Sequence, residues 1–398
     1  MDEKYYKTTS QRIEILKDRN INIRGNATNE KSVIKHNNYY NLINGYKHLF
    51  LDKFETGKSS NKGKDIFKTG TKPSELYAVM QFDNQLRTIF LKKLLIVEEK
   101  IKHAIVQSFY NTQTGNDLHK HNEYKKSIYY DTSRDTFIQK TYRSKLITET
   151  EIGSQNSSNN QNSNIVKEKE FSINRYSEHS EFSSNVTNEI EKQQNKKDSI
   201  KYYQEQHGYI PYWVLTNILS LGTISHLFII LKENTAYSVM DRLGISHSNT
   251  KVDIYNFYKI LGILTLGRNI CAHNERFYCF KHSYTIDDKF MEFGKALPHY
   301  TDPNNNTTLK PYQKMKKTKA ISGIYSLIFS LLIFFAKEER QKFVKKLNLE
   351  LDRLSKKLNT ISIDDVKKDM GINFDMLKNV EEIPNNYMNI LYWTLEVK

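Results

Sequence analysis

The sequence predicts an all-α protein, and three observations lead to that prediction. Only 6 prolines and 15 glycines occur among the 398 residues, too few for a turn-rich β-protein. Apolar residues recur at helical spacing over long stretches, most regularly from Leu76 to Phe109. The sequence contains neither an alternation of strand and helix patterns nor a glycine-rich phosphate loop. We therefore expect a bundle of helices.

The first long helix is predicted to begin with Ser74 as its N-cap and with Pro73 just outside it. Within this helix, Asp83 and Arg87 lie one turn apart and can form an ion pair. Glu98 is expected to be a solvated acid. For these three side chains, a structural role is favoured over a catalytic one.

A long polar segment then interrupts the helical pattern. Ser154 to Asn164 contains only serine, asparagine and glutamine, which cannot bury apolar surface. We interpret residues 115–200 as a long, flexible and partly disordered insertion, with short helices near Tyr129.

Apolar helices are expected again after the insertion, with a turn around Gly244. The predicted helices are Leu215 to Leu221, Thr223 to Asn234, Lys251 to the region of Arg268, and Phe343 to Leu358. The chain is accordingly divided into an N-terminal helical part (1–114), the insertion (115–200), a central helical part (201–298) and a C-terminal helical region (299–398).

Ile321 to Ala336 form an uncharged run that two interpretations fit. As a helix the run would extend about 24 Å, short of a hydrocarbon core of about 30 Å. A buried core helix is the favoured interpretation, and no stable membrane insertion is expected. The basic residues around Lys316 and Lys337 keep contact with a membrane surface open as the alternative.

The net charge of +15 and the pI near 9.3 indicate an anionic partner. Nucleic acid is the first candidate and an acidic membrane surface the second. AT-rich coding sequence would also explain part of the lysine excess. Cys271 and Cys279 are too few for a disulfide framework or a zinc site, and no apolar signal segment is evident. A cytoplasmic location is therefore expected.

The segment Arg268-Asn269-Ile-Cys-Ala-His273-Asn-Glu-Arg276 is the place where the sequence most resembles a chemical site. If the helix continued through it, Asn269, His273 and Arg276 would share one face at i, i+4 and i+7. Arg268 would flank that face. The result would be a proton carrier, an amide and two cations in one patch.

Such a patch is suited to RNA cleavage. A base must take the proton of the 2′-OH, an acid must protonate the leaving oxygen, and a cation must stabilise the phosphoryl charge. We assign proton transfer to His273, phosphate binding to Arg268 and orientation to Asn269. One histidine does not easily fill both proton-transfer roles, so a second copy of the motif from another subunit is expected.

No acidic cluster accompanies the motif, so neither a metal nor another cofactor is expected. Further contacts with RNA are assigned to basic residues outside the catalytic set. These are Arg276, Lys314, Lys316 and Lys317.

The spacing of arginine and histidine is weakly specific by itself. Arg242 and His247 have the same interval in a predicted turn, and this pair is interpreted as chance. For the Arg268 segment, a structural alternative also remains open. Its polar side chains could form a network between helices or cap a helix C-terminus.

RNICAHNERFY (Arg268 to Tyr278) resembles the motif of the Abi-like family, an abortive-infection family of the HEPN ribonuclease superfamily. Three further blocks resemble that family in the expected order. They are HNNYYNLINGY (His36 to Tyr46), LYAVMQFDNQLR (Leu76 to Arg87) and IPYWVLTNILSLGTIS (Ile210 to Ser225). The insertion carries no motif of the family, and the C-terminal third resembles it only loosely.

This resemblance implies a HEPN-like helical bundle and metal-independent RNA cleavage that leaves a 2′,3′-cyclic phosphate. Arg268, Asn269 and His273 match the catalytic pattern, whereas Arg276 matches only the narrower family. A homodimer in which two motifs face each other, and a role in phage defence, are implied as well. A neutralising protein or RNA partner is a further expectation.

Two other functions remain as alternatives. A HEPN-like domain can serve as a non-catalytic module that binds RNA or docks a partner. The uncharged run from Ile321 to Ala336 would instead suit an effector that acts at membranes.

Overall fold

The prediction of an all-α protein is confirmed. The computed structural model describes residues 5–24, 27–143, 165–245, 247, 249–284 and 323–371, and most of these are helical. The helices are α1 (Thr9–Asp18), α2 (Thr28–His36), α3 (Lys53–Gly57), α4 (Pro73–Thr112), α5 (His121–Tyr124), α6 (Arg175–Gln193), α7 (Asp198–His207), α8 (Tyr212–Leu215), α9 (Leu221–Ile230), α10 (Glu233–Arg242), α11 (Lys251–Ala272), α12 (Ile324–Leu332), α13 (Lys337–Ser355) and α14 (Ile363–Met370).

The 40-residue helix α4 is the structural centre and packs against α2, α10, α11 and α13. Its predicted start is wrong by two positions, because Lys72 is the N-cap and Pro73 is the first helical residue. Proline suits that position, where its missing N–H would have no helical partner. Ser74 instead donates hydrogen bonds from its backbone N–H and its hydroxyl to Glu30, at 2.8 and 2.7 Å.

The core between α4, α11 and α13 is aromatic. Phe90 of α4 lies edge-on to Phe277, with ring centroids 4.9 Å apart, and to Phe343 of α13 at 5.2 Å. All three rings are buried. Because Phe277 follows α11 closely, this cluster ties the end of α11 to α4.

The uncharged run contains a buried helix, as the favoured interpretation predicted. Every residue of α12 (Ile324–Leu332) is buried, and the helix packs against α11 and α4. Leu327 of α12 packs so close to Gly267 of α11 that a Cβ there would lie 2.7 Å from the leucine side chain. No helix in the described part of the chain combines the length and the apolar content needed to cross a membrane.

The insertion is more ordered than expected. It contains an antiparallel pair of strands, β1 (Arg134–Arg143) and β2 (Ile165–Asn174), and then α6, which packs against α9. Phe182 and Val186 lie one turn apart on α6 and are fully buried, so this part is not a flexible linker. The short helix expected near Tyr129 is present as a 3-10 turn, whereas the polar run Ser154 to Asn164 lies outside the described residues.

The helix predicted from Thr223 to Asn234 ends four residues earlier, and a second helix follows it. α9 ends at Ile230, Leu231 forms a bridge with Tyr130, and α10 then begins at Glu233. The turn predicted around Gly244 is present, and this glycine has a φ of 69°. That backbone conformation is strained for residues with a Cβ atom.

We expect Phe90→Ala to lower the free energy of unfolding by about 3–5 kcal/mol, because it leaves a cavity between Phe277 and Phe343. Leu95→Ala is the matched control, since Leu95 lies on the same helix and is 47% exposed. Its effect should be about 0.5 kcal/mol or less. Urea unfolding of both variants measures the difference. Equal losses would show that the aromatic cluster is not what holds α4 in place.

Candidate active site

The Arg268 segment lies where α11 ends. The helix stops at Ala272, His273 is its C-cap residue, and Asn274 has a φ of 58° in the left-handed region. Asparagine tolerates this conformation, and the Glu275 N–H then donates to the Ile270 carbonyl at 3.2 Å. The condition for a shared face, a helix that continues to Arg276, is not met, so Arg276 does not share the helical face of Asn269.

The two other predicted residues of that face do come together. Asn269 and His273 are one turn apart, both are exposed, and the backbone N–H of His273 donates to the Asn269 carbonyl at 2.9 Å. The Arg268 guanidinium lies beside Asn269, with Nη1 3.4 Å from Asn269 Oδ1. The exposed Asn269 and His273 and the half-buried Arg268 thus form a polar group at the surface, which we call the exposed triad.

The buried part of the Arg268 side chain contacts Glu98 of α4. The Arg268 Nε and Glu98 Oε2 atoms are 3.5 Å apart, and both are buried without hydrogen-bond geometry between them. The other carboxylate oxygen of Glu98 accepts a hydrogen bond from Lys102 at 2.8 Å. The expectation that Glu98 is solvated is wrong, because its side chain is buried and contacts both Arg268 and Lys102.

The second half of the segment is bound to the buried carboxylate of Asp83. This group accepts hydrogen bonds from the backbone N–H groups of Phe277 at 3.1 Å and Tyr278 at 2.6 Å. It also accepts one from the Tyr46 hydroxyl at 2.8 Å and one from Arg87 at 2.9 Å. Burial raises the pKa of Asp83, and the positive charge of Arg87 opposes that shift.

Arg87 completes the connection between α4 and the turn after α11. Its guanidinium donates to the Glu275 carbonyl at 2.8 Å and to Asn274 Oδ1 at 2.6 Å. The ion pair predicted between Asp83 and Arg87 is confirmed. Residues Asn274 to Tyr278 therefore have the structural role that the sequence left open. They follow the end of α11 and form a polar network with α4.

The cysteines near the exposed triad are not poised for thiolate chemistry. Burial raises the pKa of Cys271 to about 12 and that of Cys279 to about 11. At neutral pH both are therefore neutral thiols, which are poor nucleophiles.

The remaining predicted residues lie apart from the exposed triad. Arg276 donates a hydrogen bond to the Gly45 carbonyl at 2.6 Å. His247 of the second arginine-histidine pair is occupied structurally, since it binds Asp241 at 3.0 Å and stacks on Tyr237. The lysines assigned to RNA binding, Lys314, Lys316 and Lys317, fall outside the described residues.

One group in the described part of the chain could hold a metal ion, and the sequence analysis did not identify it. Glu178 and Glu181 of α6 and His226 of α9 place three ligand atoms within 4.8 Å of one another. The Glu178 carboxylate, which accepts a hydrogen bond from the protonated His226 ring, raises the pKa of His226. The group lies on other helices than the exposed triad, so the expectation of metal-independent chemistry stays a prediction.

Comparison with protein families identifies the chain. A family model described as Abi-like protein matches residues 32–279, more than half of the sequence. The chain belongs to the Abi-like family. This membership suggests a role in abortive infection, a defence against phage. Comparisons with curated proteins and with solved structures give no significant match.

The match to the Abi-like family includes the exposed triad and the three earlier sequence blocks. It also spans the whole polar insertion and the potential metal ligands of α6 and α9. Helices α12, α13 and α14 lie beyond its end, although α12 and α13 pack against the matched helix α4.

We expect Asp83→Ala to lower the free energy of unfolding by about 3–5 kcal/mol, because Arg87 would be left buried and unpaired. The amides of Phe277 and Tyr278 should then exchange hydrogen much faster. Asp18→Ala is the control, since the Asp18 side chain is 65% exposed in its pair with Lys64. Unchanged exchange at Phe277 and Tyr278 would refute the anchoring role of Asp83.

Proposed function

We propose that this Abi-like protein is a metal-independent endoribonuclease of the HEPN type that acts in phage defence. The observation that supports this function best is the exposed triad at the end of α11. Arg268, Asn269 and His273 lie on the surface, where a nucleic acid can reach them, and buried residues of α4 hold the adjoining chain. The net charge of +15 favours an anionic substrate.

The proposed reaction is an internal transfer at phosphorus. A base removes the 2′-OH proton, the 2′-oxygen bonds to phosphorus, and the bond from phosphorus to the 5′-oxygen breaks. The leaving 5′-oxygen takes a proton from an acid, so the products are a 2′,3′-cyclic phosphate and a 5′-hydroxyl. His273 transfers protons, and Arg268 stabilises the charge on the phosphoryl oxygens.

Glu98 is a positioning residue in this proposal. It attracts the Nε atom of Arg268 and leaves the two terminal nitrogens, of which Nη1 lies beside the exposed Asn269, to bind a ligand. Those nitrogens match the geometry of a phosphate, which arginine binds with two parallel hydrogen bonds. Asn269 adds an amide oxygen beside one of them.

The proposal requires a second chain. One histidine is available in each exposed triad, whereas the reaction needs both a base and an acid. In a homodimer that brings two exposed triads together, one His273 would act as base and the other as acid. Mixing Arg268→Ala with His273→Ala chains should therefore give heterodimers whose composite site keeps one arginine and one histidine and lacks one of the two proton-transfer groups.

We expect His273→Ala to reduce RNA cleavage at least 100-fold, because general acid-base catalysis contributes about 10²–10⁴-fold. The side chain is exposed in the single chain, so folding should not change. Cleavage of labelled RNA with EDTA present, and analysis of the product ends, measure the effect. His207→Ala, which removes an exposed histidine on α7, is the matched control.

The same experiment distinguishes a ribonuclease from a non-catalytic RNA-binding module. Unchanged cleavage by His273→Ala would refute the catalytic assignment. Tight and salt-dependent binding of RNA by the wild-type protein without any product would instead identify a binding module.

A further inference from the structure

A polar groove of about 850 Å³ lies beside the exposed triad and is not part of it. Three segments far apart in the sequence line it: the turn after α2, the first half of α4, and the residues that follow α11. These are three of the four blocks that carry the family resemblance. The groove volume lies within the range of about 300–1,000 Å³ that is typical of small-ligand sites.

Asparagine is the most frequent residue type among those that line the groove. Its asparagines are Asn38, Asn41, Asn44, Asn84 and Asn274. Four of these amide oxygens already accept a hydrogen bond within the protein, that of Asn38 from the Asn41 N–H, that of Asn44 from Lys47, and those of Asn84 and Asn274 from Arg87. The NH₂ groups are therefore what these side chains offer to the acceptor atoms on the edge of a nucleobase. The Asn41 side chain is exposed, while its backbone N–H binds Asn38 Oδ1 at 3.1 Å and so fixes the local turn.

An exposed aromatic ring lies among these amides. Tyr40 is 70% exposed, although its neighbours in the π-helical turn Tyr40–Asn44 include the buried Leu42 and Ile43. The turn is thus anchored by its apolar side chains and presents Tyr40 to solvent. Tyr46, the other tyrosine of the groove, is buried and bound to Asp83, so only Tyr40 is placed to receive a planar ligand.

The charge of the groove suits one strand of nucleic acid. Arg276 lies at its edge and is exposed, with a single hydrogen bond, to Gly45, among the described residues. Glu275 is the only acidic side chain among the lining residues. Because Arg87 is committed to Asp83, Arg276 is the cation that can contact a phosphate.

The groove also lies close to the proposed catalytic group. Leu91 lines the groove, and Glu98 on the same helix contacts Arg268. At about 1.5 Å per residue, these positions are roughly 10 Å apart along α4. One strand can therefore occupy the groove and reach Arg268.

We propose that this groove binds an unpaired nucleotide of single-stranded RNA, with its base stacked on Tyr40, its base edge on the asparagine amides and a phosphate on Arg276. The inference rests on the proposed function for its substrate, since it names the RNA that the exposed triad would cut. Stacking on Tyr40 requires a base that is not already stacked within a duplex. The groove thus selects loops and unpaired regions over double-stranded RNA.

The test measures binding without cleavage. A fluorescein-labelled, single-stranded 2′-fluoro RNA of about a dozen nucleotides has no 2′-OH to attack, and it is titrated with the full-length protein. Tyr40→Ala is expected to weaken its affinity by about 5- to 100-fold, whereas Tyr40→Phe keeps the ring and should change it by about twofold or less. Tyr202→Ala is the matched control, because Tyr202 is 56% exposed on α7.

A duplex of the same sequence should bind more weakly and should not respond to Tyr40→Ala. Equal affinities of wild-type and Tyr40→Ala protein for the single strand, or no binding of it at all, would overturn the inference. If His273→Ala abolishes cleavage while Tyr40→Ala binds normally, the groove inference alone fails. If Tyr40→Ala weakens binding and no variant cleaves RNA, the groove remains an RNA-binding site and the ribonuclease proposal fails.

Discussion

The buried carboxylate of Asp83 is the interaction on which the geometry of the site depends. It satisfies two backbone N–H groups beyond the end of α11, a tyrosine hydroxyl from the turn after α2, and the guanidinium of Arg87. Each of these donors is buried, and leaving one unpaired costs about 1–3 kcal/mol. The end of α11 is thereby fixed relative to α4, and with it the position of His273.

This anchoring explains why one short segment contains two kinds of polar residue. Asn274 provides the left-handed residue that ends the helix, and Phe277 enters the aromatic core. Arg268, Asn269 and His273 precede that point and remain at the surface. Side chains at the surface contribute little to folding, so folding does not require these particular residue types. The residues that follow them, by contrast, are required by the packing of the core.

The sequence predicted the features that depend on local spacing. Helices α4 and α11 follow from apolar periodicity, and α12 follows from the uncharged run that contains it. The ion pair of Asp83 with Arg87 follows from their separation by one turn. The end of α11 lies within the Arg268 segment, where a helix C-terminus had been one of the two interpretations, and an asparagine after the last apolar position is a recognised stop signal. Phe182 and Val186, one turn apart, were a similar unused indication of the packed helix α6.

Other features could not be predicted because they depend on tertiary contacts. Glu98 reads as a surface acid until α11 brings Arg268 against it, and Asp83 meets Phe277 across 194 positions of sequence. The groove also depends on tertiary contacts. The sequence of the turn that contains Tyr40 does not indicate which helices form the opposite wall of the groove. In each case, residue spacing indicates which side chains share one face of a helix, but it does not indicate which other segment packs against that face.

The exposure of the triad has a consequence for control. Electrostatic stabilisation of a phosphoryl transition state is strong only where water is excluded, and a charged group open to solvent provides little of it. In the proposed mechanism, the second chain would both supply the missing proton-transfer group and cover the first triad. Activity would then depend on the concentration of chains through the monomer-dimer equilibrium. A neutralising partner would need only to occupy the end of α11, without reaching any buried residue.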